Sequence, residues 1–183
     1  MSRYLNFLRW QASIKRFSLE EDLQRNSKRL EGSGIENLRN EHVKLKVVLD
    51  TKPLIKLFAQ EDGWKEVQKI LSEIEVGKLE GAINVVTLTE IYYKYLREGM
   101  LDLAKARTEV LRQAIYLKKL KVDEEVAVKA GEFKGRYRVP IADALIAASA
   151  YLEGSIVISD DPDYKRIGEV KALTEREFTS RFL

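Results

Sequence analysis

The sequence predicts an α/β domain with a central, mostly parallel sheet and helices on both faces, preceded by an N-terminal helical arm. Three observations predict it. From Lys44 onward, short apolar runs alternate with longer segments of helical periodicity. Strands that are short and apolar, joined through helices, belong to parallel sheets covered on both faces. The 183 residues suffice for one such domain with a real core and fall short of two.

The arm, residues 1–43, shows loose helical spacing of Leu5, Leu8, Trp10, Ile14 and Phe17, then a polar stretch in which Ser18 and Glu21 fit a capping box. The EGSG at 31–34 reads as a break. The main domain, 44–183, opens with the strand KLKVVLD (44–50). PLIKLFAQ and GWKEVQKILSEIEVGK follow as helices, then GAINVV (81–86) as a strand and TLTEIYYKYLREG as a helix. A further helix is expected over roughly 101–117 and a short strand at KLKV (119–122). DEEVAVKAGEFKGRY is helical, and PIADALIAASAYLEG is a strongly apolar helix with proline in its first turn. SIVIS (155–159) is a strand, with a weak one at VKAL (170–173).

Composition narrows the chemistry. Without cysteine there is no disulfide, thiol nucleophile or thiolate metal site, and a single histidine, His42, all but excludes a Ser-His-Asp triad or a three-histidine zinc site. Carboxylates must carry any catalysis, and oxygen ligands suit hard cations, chiefly Mg²⁺ and Mn²⁺. No apolar run reaches the ~18 residues of a membrane span, and the N-terminus, interrupted by Arg3, Arg9 and Lys15, lacks a signal-peptide core, so a cytoplasmic protein is expected. The net charge of +3 is concentrated in residues 1–46, which hold ten Lys/Arg against six Asp/Glu.

Four acids stand where a parallel sheet would gather them. Asp50 closes the first strand, Glu90 lies in the first turn of the helix after the second strand, Asp143 lies in the first turn of the Pro140 helix, and Asp161 follows the last strong strand. Strand carboxyl ends and the amino ends of the following helices share one edge, where ligands bind. Each acid also has a structural reading. Glu90 completes a capping box with Thr87, Asp143 favours a helix dipole, and Asp50 and Asp161 suit turns or caps. Asp143 resists this best, because it interrupts IADALIAASA, a helix apolar enough to be buried, where a carboxylate needs a metal ion or a buried Lys or Arg.

VVLDTKPLI, VVTLTEIYYKYL, VPIADALIAASA and VISDDPDYKRI resemble, in order and spacing, the successive motifs of PIN domains, especially the VapC-type toxin ribonucleases. The resemblance runs from about Lys44 to about Thr174, some seven-tenths of the chain, and leaves the arm outside. It implies a three-layer α/β/α fold and Mg²⁺- or Mn²⁺-dependent endonucleolytic hydrolysis of RNA, leaving 5′-phosphate and 3′-hydroxyl ends. It also implies a homodimer and a small antitoxin protein as partner. By motif position Asp50, Glu90, Asp143 and Asp161 match the family's catalytic, metal-binding quartet, with Asp163 as helper, and Thr51 and Ser159 match its small hydroxyl positions. Two departures stand out. Lys52 occupies a position that is usually small and polar, where it would contact a phosphate, compete with metal or point to solvent. Asp160, Asp161 and Asp163 crowd the last motif, and the offset from Ser159 selects Asp161.

Other residues have two readings each. Tyr92, Tyr93 and Tyr95 suit base stacking or simple packing. Lys134, Arg136 and Arg138 suit a phosphate track or a solvated helix end. Alternative functions are a housekeeping RNA-processing PIN nuclease and a catalytically silent PIN module binding RNA or protein. A haloacid-dehalogenase-like phosphatase is disfavoured, because Lys52 stands where that chemistry needs a second aspartate.

Overall fold

The computed structural model describes residues 44–183; the expected arm at 1–43 and its Ser18–Glu21 capping box lie outside the described residues. Five strands form one parallel sheet: β1 (Lys46–Leu49), β2 (Glu80–Asn84), β3 (Leu117–Leu120), β4 (Ile156–Ile158) and β5 (Ala172–Leu173). Their order is β3-β2-β1-β4-β5, and all four pairings are parallel. The helices are α1 (Thr51–Ala59), α2 (Trp64–Glu75), α3 (Val85–Arg97), α4 (Leu101–Gln113), α5 (Glu124–Tyr137), α6 (Ile141–Leu152), α7 (Asp163–Arg166) and α8 (Glu175–Phe182).

The strand order fixes where a site can form. From β1 the chain steps through β2 to β3 in one direction, then crosses back to β4 on the far side of β1. Right-handed crossovers therefore place α1–α4 on one face and α5–α6 on the other. The direction reverses between β1 and β4, and the crevice beyond the carboxyl ends of that pair is the switch point of the sheet. Asp50 follows β1 and Ser159 follows β4, and Asp50 N–H bonds Ile158 O across the gap (3.1 Å).

Helix α6 is the element that brings an acid to this crevice. Ala144, Ala147 and Ala148 are buried without residue, so its backbone lies close against β1, β2 and β4. Val48, Ala82 and Val157 meet it from the sheet, and Phe133, Tyr164 and Ile167 close the cluster. At the end of β2, Asn84 caps α3 through Val86 N–H (2.8 Å) and donates to Ser149 Oγ of α6 (2.6 Å), tying both helices to the same strand end.

Several expected boundaries shift. The second strand ends at Asn84 and α3 begins at Val85, so Glu90 sits in the second turn rather than the first. The Thr87–Glu90 capping box does not form: Asn84 is the cap, and Thr87 is buried inside the helix with its hydroxyl unpartnered among the described residues. The helix expected over 101–117 stops at Gln113, because the edge strand claims Leu117–Leu120. Pro140 is the cap of α6, one position before its first helical residue. Helix α8 was not expected; Thr174 and Glu177 form its capping box. Among the described residues no helix is long and apolar enough to cross a membrane.

Candidate metal centre

Asp50 is the most enclosed of the candidate site acids, 5% exposed. As the residue before α1 it is placed to cap that helix, yet no side-chain cap bond forms. Its oxygens are instead held by hydroxyls: Ser159 Oγ donates to Oδ2 (2.7 Å) and the Tyr164 hydroxyl to Oδ1 (3.1 Å). Burial pushes its pKa up against these bonds and that of the Thr51 backbone N–H, and the charge of Asp161 adds to the rise. Burial also raises Glu90, against the hydroxyl of Thr51, which donates to it, with the charge of Asp50 as a further cause.

Asp143 lies in the first turn of α6, half-buried. Its pKa is pushed up to about 7, first by burial and then by the charges of Asp50, Asp161, Glu90 and Asp163. Oxygens of Asp143, Asp161 and Asp163 lie within 4.8 Å of one another. Asp161 is oriented from both sides: its N–H donates to Ser159 Oγ (3.0 Å) and its Oδ1 accepts from Asp163 N–H (2.9 Å). That second bond is the turn reading of Asp161, and it coexists with a place in the cluster. Thus Asp50, Glu90, Asp143, Asp161 and Asp163 share one rim of the sheet, with Thr51 and Ser159 between them. Among the described residues, no Lys or Arg pairs with Asp50, Glu90, Asp143 or Asp161; Asp163 is paired with Arg166 (3.0 Å).

This donor set fits a hard divalent cation: oxygens only, negatively charged, confined, and, apart from Arg166 on Asp163, without a Lys or Arg among the described residues to neutralise them. The remaining acid of the crowded motif, Asp160, points elsewhere. Lys56 binds it (2.6 Å) together with the buried Glu175 of α8 (2.6 Å), and Lys52 meets it from the surface (3.1 Å). Burial opposes the charge on Asp160, but the two lysines outweigh it and hold the carboxyl below its usual range.

The other cationic and aromatic residues divide. Arg136 is taken up by Glu132 (2.8 Å) and Glu169 (2.6 Å), and Lys134 turns back to Val139 O (3.4 Å), while Arg138 is exposed. Of the tyrosines, Tyr95 is buried and Tyr93 exposed, with Arg97 over its ring. Sequence reasoning missed Tyr164, Asn84, Lys56 and Glu175. Only Tyr164 left a signal, as an aromatic ending the SDDPDY run in which Asp161 and Asp163 stand.

Comparison with known proteins agrees with this architecture. Residues 47–170 match the PIN domain family. Ribonuclease VapC4 of Mycobacterium tuberculosis is 30% identical over 100 residues, 52% of this chain and 77% of that protein. Among solved structures, VapBC-1 from nontypeable Haemophilus influenzae superposes with a TM-score of 0.60 at 15% identity, covering 72% of this chain and 99% of that one. DNA-bound VapBC from Salmonella typhimurium gives 0.57 at 20% identity, with 72% and 98% covered. PAE2754 from Pyrobaculum aerophilum gives 0.52 at 20%, with 81% and 97% covered. The acid-rimmed switch point, the parallel five-stranded sheet and the match over 47–170 together place this chain in the PIN-domain family, in the neighbourhood of the VapC proteins.

Proposed function

We propose that this protein is a Mg²⁺- or Mn²⁺-dependent endoribonuclease, the toxin of a toxin–antitoxin pair, with Asp50, Glu90, Asp143 and Asp161 as its catalytic acids and Asp163 as a helper. The observation that carries the reading is the cluster itself: acids from four separate segments meet at the sheet's switch point with no lysine or arginine on the quartet among the described residues, and Asp143 is raised to about 7. Asp143, Asp161 and Asp163, whose oxygens lie within 4.8 Å of one another, would hold the cation together with Asp50 and Glu90. When bound, the cation would supply an acidified water and neutralise charge building on the phosphoryl and leaving oxygens.

The chain's own groups do the rest. Ser159 fixes Asp50 and Asp161 relative to each other, since its one hydroxyl donates to the first and accepts from the backbone of the second. Thr51 anchors Glu90 from the next segment. Arg166 donates to Asp163 (3.0 Å) and to Tyr137 O (2.7 Å), bracing the last motif against the end of α5. Lys52, half exposed beside this rim, is placed to meet a phosphate. Its pairing with Asp160 rather than with the quartet supports this reading over a catalytically silent module.

The name of the VapC4 relative supports a ribonuclease activity, and a toxin–antitoxin complex from Klebsiella pneumoniae among the structures of this fold supports an antitoxin partner; a small antitoxin and a cytoplasmic homodimer complete the proposal. Purified protein incubated with structured RNAs should cut them with Mg²⁺ or Mn²⁺ and stop with EDTA; cleavage unaffected by EDTA refutes the metal reading. Expression should arrest growth, relieved by a short neighbouring open reading frame. Light scattering at micromolar concentration should give twice the monomer mass.

A further inference from the structure

We infer that Tyr164 is a positioning residue for Asp50: its hydroxyl and that of Ser159 grip opposite oxygens of the same carboxylate and fix the plane it presents to a cation. The inference rests on the metal-site reading above and adds a residue to it.

A carboxylate offers about four lone-pair directions, two on each oxygen. At Asp50 one direction on Oδ2 is taken by Ser159 (2.7 Å) and one on Oδ1 by Tyr164 (3.1 Å). A hydroxyl on one oxygen alone would hold the group less firmly against turning. Hydroxyls on both oxygens, beside the backbone N–H of Thr51, restrict that turning and still leave a lone-pair direction for an incoming ion. Both hydroxyls come from the stretch after β4, which also carries Asp161 and Asp163, so the same backbone that sets two acids orients the third.

Tyr164 is built to hold its hydroxyl still. Its side chain is fully buried, in the cluster with Ala144, Ala147 and Ile167, on the one-turn helix α7. A buried tyrosine seeks a partner for its O–H, and packing alone would be served as well by phenylalanine. Here the partner is a buried carboxylate more than a hundred residues away in sequence. Groups that orient metal ligands through hydrogen bonds typically change metal affinity by about 10–100-fold when removed.

The test is Mn²⁺ binding by calorimetry and RNA cleavage for wild type, Tyr164→Phe, Ser159→Ala and the double variant. Phenylalanine keeps the ring, so the metal-free melting temperature of Tyr164→Phe should stay near wild type. Its Mn²⁺ affinity should fall on the order of tenfold, and its kcat should fall with KM for RNA unchanged, recovering as Mn²⁺ is raised. The double variant should lose less than the product of the single losses, since a carboxylate already free to turn has less orientation to lose. Unchanged Mn²⁺ affinity in Tyr164→Phe overturns the inference and leaves the metal site standing, as does a lowered melting temperature with full affinity. Single losses that multiply in full also overturn it, since the two hydroxyls would then act independently. A wild-type protein that binds no Mn²⁺ overturns the site and the inference together.

Discussion

Asp160 and Asp161 are adjacent in sequence and belong to opposite electrostatic regimes. Asp160 faces Lys56 and Lys52, and its carboxyl is held below the usual range. Asp161 faces Asp143 and Asp163, in a cluster where Asp143 rises to about 7. The first region is balanced within the chain. Lys56 stands between Asp160 and the buried Glu175 and closes α8 onto α1, and Gly63 leaves room for it, since a Cβ there would collide with the Glu175 carboxylate. The second region has one cation, Arg166 on Asp163, and is otherwise supplied with hydroxyls, which orient carboxylates without neutralising them. The first cluster is satisfied within the chain, whereas the excess negative charge of the second suits a cation from outside.

The sharpest way to break this contrast is to remove one acid from the unbalanced side. Asp143→Asn should lower RNA cleavage more than about 100-fold, beyond the effect of losing an orienting group. It should also abolish the rise in melting temperature with Mn²⁺. The metal-free protein should melt at the same temperature or higher, because a repelling charge is gone. A melting temperature several degrees lower with cleavage intact would make Asp143 a structural residue and erase the distinction.

On the balanced side the sign reverses. Lys56→Met leaves Glu175 buried without its cation and Asp160 with only the exposed Lys52. Breaking a buried pair from one side costs about 3–5 kcal/mol, and partial exposure of Asp160 reduces this to about 2–3. Thermal unfolding should fall by about 10 °C, while the Mn²⁺-induced shift persists in the folded protein. Loss of that shift with unchanged melting temperature would assign Lys56 to the site.

The two regions also differ in how far the sequence reveals them. The strand–helix alternation was legible, because apolar strands and helical periods are local signals, and strand ends and helix starts placed Asp50, Asp143 and Asp161 on one rim; the strand order that makes β1 and β4 neighbours at a switch point was not. Glu90 was placed one turn too early, in the first turn rather than the second, and its structural reading as half of a capping box gives way to the cap of Asn84. The balanced region was illegible. Lys56 meets Glu175 across more than a hundred residues, and an acid and a lysine that far apart carry no pattern in one sequence. Tyr164 escaped likewise, because a buried aromatic and a hydroxyl donor to Asp50 are the same letter. Lys134, Arg136 and Arg138 looked like a basic track, yet Arg136 finds Glu132 through helix spacing and Glu169 through the fold.

The contrast has a signature in pH as well. Asp143 titrates near 7 in the folded chain and near 3.8 when unfolded, so the folded state holds a proton that the unfolded state has lost. Stability of the metal-free protein should therefore fall as pH rises from about 4 to about 7. The raised pKa values of Asp50 and Glu90 act in the same direction. Asp160, held low by its lysines, acts oppositely, and only below the ordinary carboxylate range. Melting in EDTA at pH 5 and pH 7.5 should show the decline, and Mn²⁺ should remove it by binding the charged form. Equal stability at both pH values without metal would mean that the acids do not repel one another as their proximity requires.

Lys52 should show the smallest effect and separates the regions most finely, since it belongs to the balanced network and stands one residue from Thr51. Its ammonium is half exposed, and Asp160 keeps Lys56 when Lys52 is removed, so Lys52→Ala should change stability by less than about 0.5 kcal/mol. For the same reason Lys52 can leave Asp160 for an RNA phosphate without stranding a carboxylate. The salt dependence of RNA binding should accordingly become shallower by about one phosphate contact, with no change in Mn²⁺ affinity. Tighter Mn²⁺ binding in the variant would mean that the lysine opposes the cation electrostatically. A drop of several degrees in melting temperature would mean that it is part of the structural network. An unchanged salt slope, with neither of these, would return it to solvent and leave the phosphate to other residues.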